Sequence, residues 1–600
     1  MMKIKRILFL LSLILINFLN VKGQPETSEK ITAEDLKLHL TYLASDELKG
    51  RYSGSEECRM AALYIAKEFE KFNLKPLFGN DYFQEFPFVD GVEFTANNSL
   101  VIKTSNGENV LAINEDFVVA PFSDRRDLTS NLVFAGYGIS APELNYDDYA
   151  GIDVKGKVVL IMRNNPEYNL PHSKFENYSA LRFKVNTARE KGAAGVIFVN
   201  GYEPKDELDK FIDVKYDRGG FITGISAVQI KRNFVDDLFK KMGMDFAQHQ
   251  KKINETKAPA SFEFKDLTVT LKTEIIEIEK TSWNVAGYIE GTDPFLKNEY
   301  LVIGAHFDHL GMGGENSLYQ GEEKLIHNGA DDNASGTSGL LELAEKFSFN
   351  PENQKRSIIF VAFSGEELGV LGSNYFVNHS PVPSGQMITM LNMDMIGRLN
   401  EKKQLIVYGT GTSSSWKDLL NKYNHSSFEL TFNDEGYGPS DHTSFYGKQI
   451  PVLFFFTGTH EDYHKPSDDV DKINFEGQQQ VVQYVYDLAN EINNSSRPDY
   501  LVVQRKDQQN MTRTKVWVGT IPDFAGNVDG YKLSGVTDNS PAQIAGLKAG
   551  DIIIKFGEKK ISNIYDFTYA IGEHSPGEKV NIVVLRDGKE MSFEIELGSR

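Results

Sequence analysis

Four short apolar runs, Tyr300 to Ala305, Ser357 to Phe363, Ile388 to Met393 and Val452 to Phe456, do most to limit what this chain can fold into. They alternate with helical segments up to about Asn494. That order gives a mostly parallel sheet whose two faces are covered by helices. Open sheets of this kind bind their ligands outside the carboxyl ends of the strands. The residues just past each run are therefore the first to inspect for chemistry.

Those residues are acids and histidines. His306 and Asp308 follow the first run in Gly304-Ala305-His306-Phe307-Asp308-His309. Asp331 and Asp332 stand in Gly329-Ala330-Asp331-Asp332-Asn333-Ala334-Ser335-Gly336, immediately before a segment with helical apolar spacing at Leu340, Leu343, Ala344 and Phe347. Acids at a helix start also serve as plain caps. Glu366 and Glu367 follow the second run, Asp394 the third, and His464 comes shortly after the fourth, in Asp462-Tyr463-His464-Lys465-Pro466-Ser467-Asp468-Asp469. Imidazole and carboxylate donors without cysteine suit zinc, and such a set can hold two ions through a shared aspartate. A further acid is then left for catalysis.

These motifs resemble metallopeptidase family 28, whose members are two-zinc aminopeptidases and related exopeptidases. The resemblance covers most of residues 30 to 125 and 280 to 495. It implies an α/β zinc exopeptidase fold, a mostly parallel mixed sheet flanked by helices. It also implies two Zn ions per chain, although other divalent metals suit similar donors. Carried over residue by residue, it puts His306, Asp332 and Asp394 on one ion and Asp332, Glu367 and His464 on the other. Glu366 becomes the general base, and Asp308 the group that orients His306. Hydrolysis then needs no covalent enzyme intermediate. Peptides are the substrates that the resemblance implies, with acids including Glu366 and Asp394 beside the free α-amine. Tyr437, in Tyr437-Gly438-Pro439-Ser440-Asp441-His442, is either a partner for the tetrahedral intermediate or part of a turn. His309, His327 and His442 stay off the ligand list, because spare histidines beside a metal site more often make hydrogen bonds or line a pocket.

Outside this site the chain divides further. Six hundred residues exceed what one core usually organises. The reading is a signal at 1–23, a first peptidase part at 24–127, an inserted β-rich domain at 128–275, a second peptidase part at 276–496, a linker at 497–511 and a last β-rich domain at 512–600. Thr32 to Leu43 and Glu56 to Phe72 read as amphipathic helices around Asp46-Glu47-Leu48-Lys49-Gly50-Arg51, which resembles a peptidase lead-in. The insert resembles the protease-associated (PA) domain through its Gly-Tyr-Gly strand, Gly156-Lys157-Val158-Val159-Leu160, a helix at Lys184 to Lys191, and Gly192-Ala193-Ala194-Gly195-Val196-Ile197. Asn539-Ser540-Pro541-Ala542 and Ala545-Gly546-Leu547-Lys548-Ala549-Gly550-Asp551-Ile552 resemble a PDZ domain of the bacterial protease type. Such a module either captures a C-terminal peptide by strand addition, with Gly519 in the carboxylate loop, or packs on the peptidase without a free ligand.

Lys3, Lys5 and Arg6 before the apolar run Ile7 to Ile16, with small Gly23 ahead of Gln24, read as a secretory signal. The run is shorter than the ~20 residues of a spanning helix, so no stable membrane anchor is expected. Export would end in the periplasm or outside the cell. With 64 basic and 84 acidic residues, the net charge of −20 and the lack of a long basic run argue against nucleic acid as a partner. Cys58 is the only cysteine, which excludes an internal disulfide and thiolate metal sites. Three rival readings remain: a carboxypeptidase or dipeptidase on the same site, a non-catalytic peptide-binding scaffold, and glutaminyl cyclisation on one zinc.

Overall fold

Alternation within the apolar runs decides which layer each side chain enters, because successive strand residues point to opposite faces. In Ser357–Phe363, Ile358, Phe360 and Ala362 enter one core, while Ile359, Val361 and Phe363 enter another. Tyr300–His306 divides in the same way, with Leu301, Ile303 and Ala305 on the first side and Val302 on the second. Both faces are buried, so the sequence shows continuous apolar runs and no polar alternation.

This computed structural model describes residues 28–503, 516–522 and 530–599, apart from 106, 169, 171–172, 204–208, 213, 215–222, 315, 320, 322, 538, 562–566, 568–569, 572–573, 575 and 587. The signal expected at 1–23 and residues 504–511 of the expected linker lie outside the described residues. No helix among the described residues is long and apolar enough to cross a membrane.

The largest sheet has nine strands. Tyr300–His306 lies parallel between Ser357–Phe363 and Met387–Met393, and Val452–Phe456 continues on the far side of Met387–Met393. Antiparallel neighbours flank this parallel centre: Ile275–Ile289 beside Ser357–Phe363, and Gln404–Tyr408 beside Val452–Phe456. The helices Ala33–Leu43, Glu56–Lys71, Gly336–Phe349 and Phe475–Asn494 fill the first core with Leu36, Leu40, Ile65, Phe69, Leu340, Leu343, Val481 and Val485. Phe376 and Phe445, from Leu371–His379 and His442–Tyr446, fill the second. Thr32 and Ser55 each accept a hydrogen bond from an N–H of the first turn, which fixes where the two N-terminal helices begin.

A second sheet of eight strands forms the insert and has its own apolar clusters on its two faces. Its parallel strands are Arg126–Phe134, Val158–Met162, Gly195–Val199 and Ser226–Ile230. The sheet begins before the expected boundary at 128. Ser99–Thr104 pairs with Phe262–Thr273, and Phe117–Val119 pairs with Ser226–Ile230. Both pairings join segments more than 100 residues apart, so local sequence patterning gave no sign of them. The expected helix at Lys184 to Lys191 runs from Leu181 to Glu190. The C-terminal region forms a six-stranded sheet around another separate apolar cluster.

Candidate metal centre

The turns at the carboxyl ends of the central strands bring the acids and histidines together. His306 ends its strand, Glu366 and Glu367 follow Ser357–Phe363, and Asp394 follows Met387–Met393. Asp332 arrives on the turn ahead of Gly336–Phe349. That turn closes tightly: Gly329 has φ +57°, and a Cβ there would lie 2.1 Å from the carbonyl oxygen of Asp332. Only glycine fits this approach.

Asp332 lies in the middle of the cluster. Its Oδ1 is 3.4 Å from His306 Nε2, and its Oδ2 is 3.3 Å from His464 Nε2. Asp394 Oδ1 is 3.4 Å from His306 Nε2, and Glu367 Oε2 is 3.2 Å from His464 Nε2. Donor atoms ~2.0–2.1 Å from a tetrahedral ion are separated by ~3.3–3.4 Å. The four observed separations match that edge length, with Asp332 offering one oxygen to each side.

Two residues border this set. Glu366 Oε2 is 3.9 Å from His306 Nε2, and its main-chain N–H donates to Asp308 Oδ1 at 3.2 Å. His309 Nδ1 is 2.6 Å from Glu367 Oε1 and 3.9 Å from Asp332 Oδ2. With Glu366 and His309 counted, the donor atoms within each of two groups, His306, Glu366 and Asp394, and His309, Asp332 and Glu367, lie within 4.8 Å of one another. The 2.6 Å contact of His309 with Glu367 is a hydrogen-bond distance, shorter than the tetrahedral edge, so the 3.3 and 3.2 Å separations of His464 from Asp332 and Glu367 favour Asp332 and His464 as the inner donors.

Buried polar atoms need partners. Among the described residues, His306 Nε2 and Asp394 Oδ1 are buried without a hydrogen-bond partner. A cation between them would satisfy the imidazole nitrogen and the carboxylate together, and imidazole with carboxylate donors fits zinc.

The electrostatics point the same way. Burial opposes charge on His464, but Glu367 and Asp332 overcome it and push its pKa up to about 11. His306 behaves similarly: burial is outweighed by Asp394 and Glu366, and its pKa stands well above the ordinary imidazole value. Glu366 is held well above the usual carboxylate range by burial and by Glu367 and Asp394, against the pull of His306. Asp332 is desolvated, yet His306 and His464 hold it well below that range. The cluster therefore attracts positive charge at neutral pH.

The surroundings orient the donors. His306 Nδ1 is 3.2 Å from the main-chain oxygen of Asp308 and 3.6 Å from its carboxylate. Ser53 donates to Asp308 Oδ2 at 2.7 Å, and Ser440 donates to Asp394 Oδ2 at 2.7 Å. The carbonyl of Asn316 lies 2.7 Å from His464 Nδ1, and the His464 ring stacks on Tyr463. Arg51 is fully buried and donates to the carbonyl oxygens of Phe307 at 2.6 Å, Asn328 at 2.7 Å and Gly329 at 3.1 Å, and also to Leu43. It thereby ties the His306 turn to the Asp332 turn.

Sequence reasoning brought His306, Asp308, Asp332, Glu366, Glu367, Asp394 and His464 to one place, and the structure gathers all seven. Tyr437 is 43% exposed and packs edge-on against Tyr446. The sequence reading missed the contact of His309 with Glu367, together with the roles of Arg51, Ser53, Asn316 and Ser440. Arg51 and Ser440 lay in motifs already noted. Ser53 opens the turn Ser53-Gly54-Ser55 between the two N-terminal helices, and nothing local marked Asn316.

An open α/β sheet with paired imidazole and carboxylate donors at its strand ends is the arrangement of a metal-binding α/β protein. Comparison with known proteins finds three family models that match parts of the chain. Residues 284–489 match the model of Peptidase family M28, residues 118–238 that of the PA domain, and residues 500–597 that of the PDZ domain. Along the chain the PA match comes first, the M28 match second and the PDZ match last.

Aminopeptidase YwaD of Bacillus subtilis (strain 168) is 26% identical over 450 residues, which are 73% of this chain and 80% of that protein. Leupeptin-inactivating enzyme 1 of Streptomyces exfoliatus is 31% identical over 206 residues, 34% of this chain and 42% of that protein. Among solved structures, an aminopeptidase from Aneurinibacillus sp. strain AM-1 aligns with 25% identity and a TM-score of 0.46, covering 80% of this chain and 98% of that one. Family and relatives together support a metallo-aminopeptidase.

Proposed function

We propose that the chain is an exported zinc aminopeptidase that removes N-terminal residues from peptides, with Glu366 as general base. The observation that carries this reading is Asp332, whose two oxygens face His306 and His464 at 3.4 and 3.3 Å. His306, Asp332 and Asp394 would hold one ion, and Asp332, Glu367 and His464 the other. Zinc held there supplies a Lewis acid for the scissile carbonyl and lowers the pKa of the attacking water.

The remaining work belongs to side chains. Glu366 stands beside the donors without being among the closest of them, and with cations offsetting the neighbouring acids that raise its pKa, its carboxylate would be free to take the proton from water and pass it to the leaving amine. Asp308 accepts the Glu366 N–H and so fixes the turn that carries this base. In this reading acids including Glu366 and Asp394 would stand beside the free α-amine of the peptide. Export rests on the basic and apolar N-terminus, Lys3 to Ile16.

The test is metal dependence with the base removed. Parent protein should release the N-terminal residue of an unblocked peptide, lose that activity to a chelator and regain it with zinc. Glu366→Gln should retain metal but not turnover. Hydrolysis that persists after complete metal removal would sink the reading.

A further inference from the structure

Asp468 has no part in the proposed ligand set, yet it is fully buried behind that set. Its Oδ2 accepts the main-chain N–H of Asp331 at 3.0 Å and of Asp332 at 3.1 Å. Its carbonyl oxygen accepts the N–H of Ala330 at 3.1 Å. One residue thus holds three consecutive N–H groups of the turn that presents Asp332. Asp468 also lies four residues after His464 in the sequence, on the segment that presents that imidazole.

The same carboxylate reaches a third turn. Asp468 Oδ1 is 3.5 Å from Arg398 Nη2, which is 2.7 Å from Asp462 Oδ2. Arg398 lies four residues after Asp394 in the sequence. Asp331 closes the network: its Oδ1 accepts the N–H of Gly397 at 2.6 Å, and its Oδ2 is 3.2 Å from His460 Nε2. The segments carrying Asp332, Asp394 and His464 are therefore joined to one another by hydrogen bonds from main-chain N–H groups to the Asp468 and Asp331 carboxylates and by ion-pair contacts of Arg398 and His460 with the same acids.

We infer that Asp468, anchored by Arg398, is a positioning residue that sets the spacing of Asp332 and His464 and thereby the affinity of the centre for its metal ions. The inference rests on the two-ion reading above. A bridging carboxylate must present both oxygens at fixed separations from two imidazoles on different segments. In the turn that carries it, Asp332 and Asn333 depart from helical backbone angles. Hydrogen bonds to three successive N–H groups restrain that turn. Groups that orient metal ligands typically change metal affinity by ~10–100-fold when removed.

The experiment compares metal binding and folding in the mature full-length chain. Parent, Asp468→Ala, Asp468→Asn and Arg398→Gln are stripped with a chelator and titrated with Zn²⁺ against a competing fluorescent chelator. Bound metal is counted by elemental mass spectrometry, and thermal unfolding of the metal-free forms controls for stability.

Asp468→Ala is expected to lose at least ~10-fold in zinc affinity. Asp468→Asn, which keeps an oxygen for the N–H groups, should recover part of that loss, and Arg398→Gln should weaken binding by about tenfold. A metal-free Asp468→Ala that melts earlier but binds zinc as tightly as the parent would overturn the inference, because the residue would then only stabilise the fold. If Asp468→Ala fails to fold, Arg398→Gln decides: parental zinc affinity in that variant also overturns it. A parent that binds one ion, with Asp468→Ala binding that ion more weakly, would remove the two-ion reading and leave the role of Asp468 standing.

Discussion

Removing the Arg51 guanidinium would strip hydrogen bonds from the carbonyls of Leu43, Phe307, Asn328 and Gly329 at once. Each buried group left unpaired costs ~1–3 kcal/mol. Arg51→Met should therefore lower the unfolding free energy of the metal-free protein by at least ~3 kcal/mol in urea titrations; an unchanged midpoint would contradict the role given to this side chain. Glu366→Gln has the opposite profile. It should leave the unfolding midpoint and metal content close to parental and lower kcat by a factor of at least ~100. Near-parental turnover would remove Glu366 as base. The contrast shows what the sequence revealed at this scale. Glu366, Glu367, His306 and Asp394 are legible because each ends or closely follows an apolar strand, Asp332 because it stands just before a segment of helical apolar spacing, and His464 because its motif comes after the last strand. Arg51, Ser53 and Asn316 reach the site from segments whose proximity only the fold creates.

The helix Gly336–Phe349 links the centre to the N-terminal segment, and it carries a buried charge problem of its own. Glu342 is 2% exposed, accepts the N–H of Thr32 at 3.3 Å and lies 3.8 Å from His39 Nε2. Burial pushes Glu342 up to about 9, with Asp35 and Glu345 adding to the shift, and burial pushes Glu345 up to about 7. Burial lowers His39 to about 3, so this ring is neutral in both folded and unfolded chains above its ordinary value of 6.5. Between pH 6.5 and 9 the folded state thus retains carboxyl protons that the unfolded chain has lost, and stability falls as pH rises. Glu342→Gln should flatten that fall, as read by thermal midpoints at pH 6.5 and pH 9. An equal loss in parent and variant would show that Glu342 does not carry it. The strands were easier to read than their partners. Continuous apolar runs marked Ser357–Phe363 and Val452–Phe456, whereas Ser99–Thr104 pairs with Phe262–Thr273 across the whole insert, and nothing local announces that.

Across the whole molecule, separate apolar clusters divide the work. The centre lies on the nine-stranded sheet, and the C-terminal residues have their own cluster around Leu533, Ile553, Phe556 and Ile582. A chain ending at residue 503 should therefore still fold and cleave short unblocked peptides at a rate within a few-fold of the parent. Loss of folding on this truncation, read by circular dichroism, would show that the C-terminal domain supports the peptidase. The sequence revealed the order of the domains, because the Gly-rich and Ser-Pro-Ala motifs are local. The extent of the insert's sheet was not legible, because Ser99–Thr104 and Phe117–Val119 join it by pairings across more than 100 residues.

The most direct measurement follows one peptide in free, N-acetylated and C-amidated forms, with products read by mass spectrometry in the presence and absence of a chelator. An acidic two-ion centre that holds the α-amine predicts that acetylation and chelation each abolish cleavage, while amidation leaves it intact and products shorten only from the N-terminus. Cleavage that survives acetylation and is stopped by amidation would contradict the account and make the same centre a carboxypeptidase.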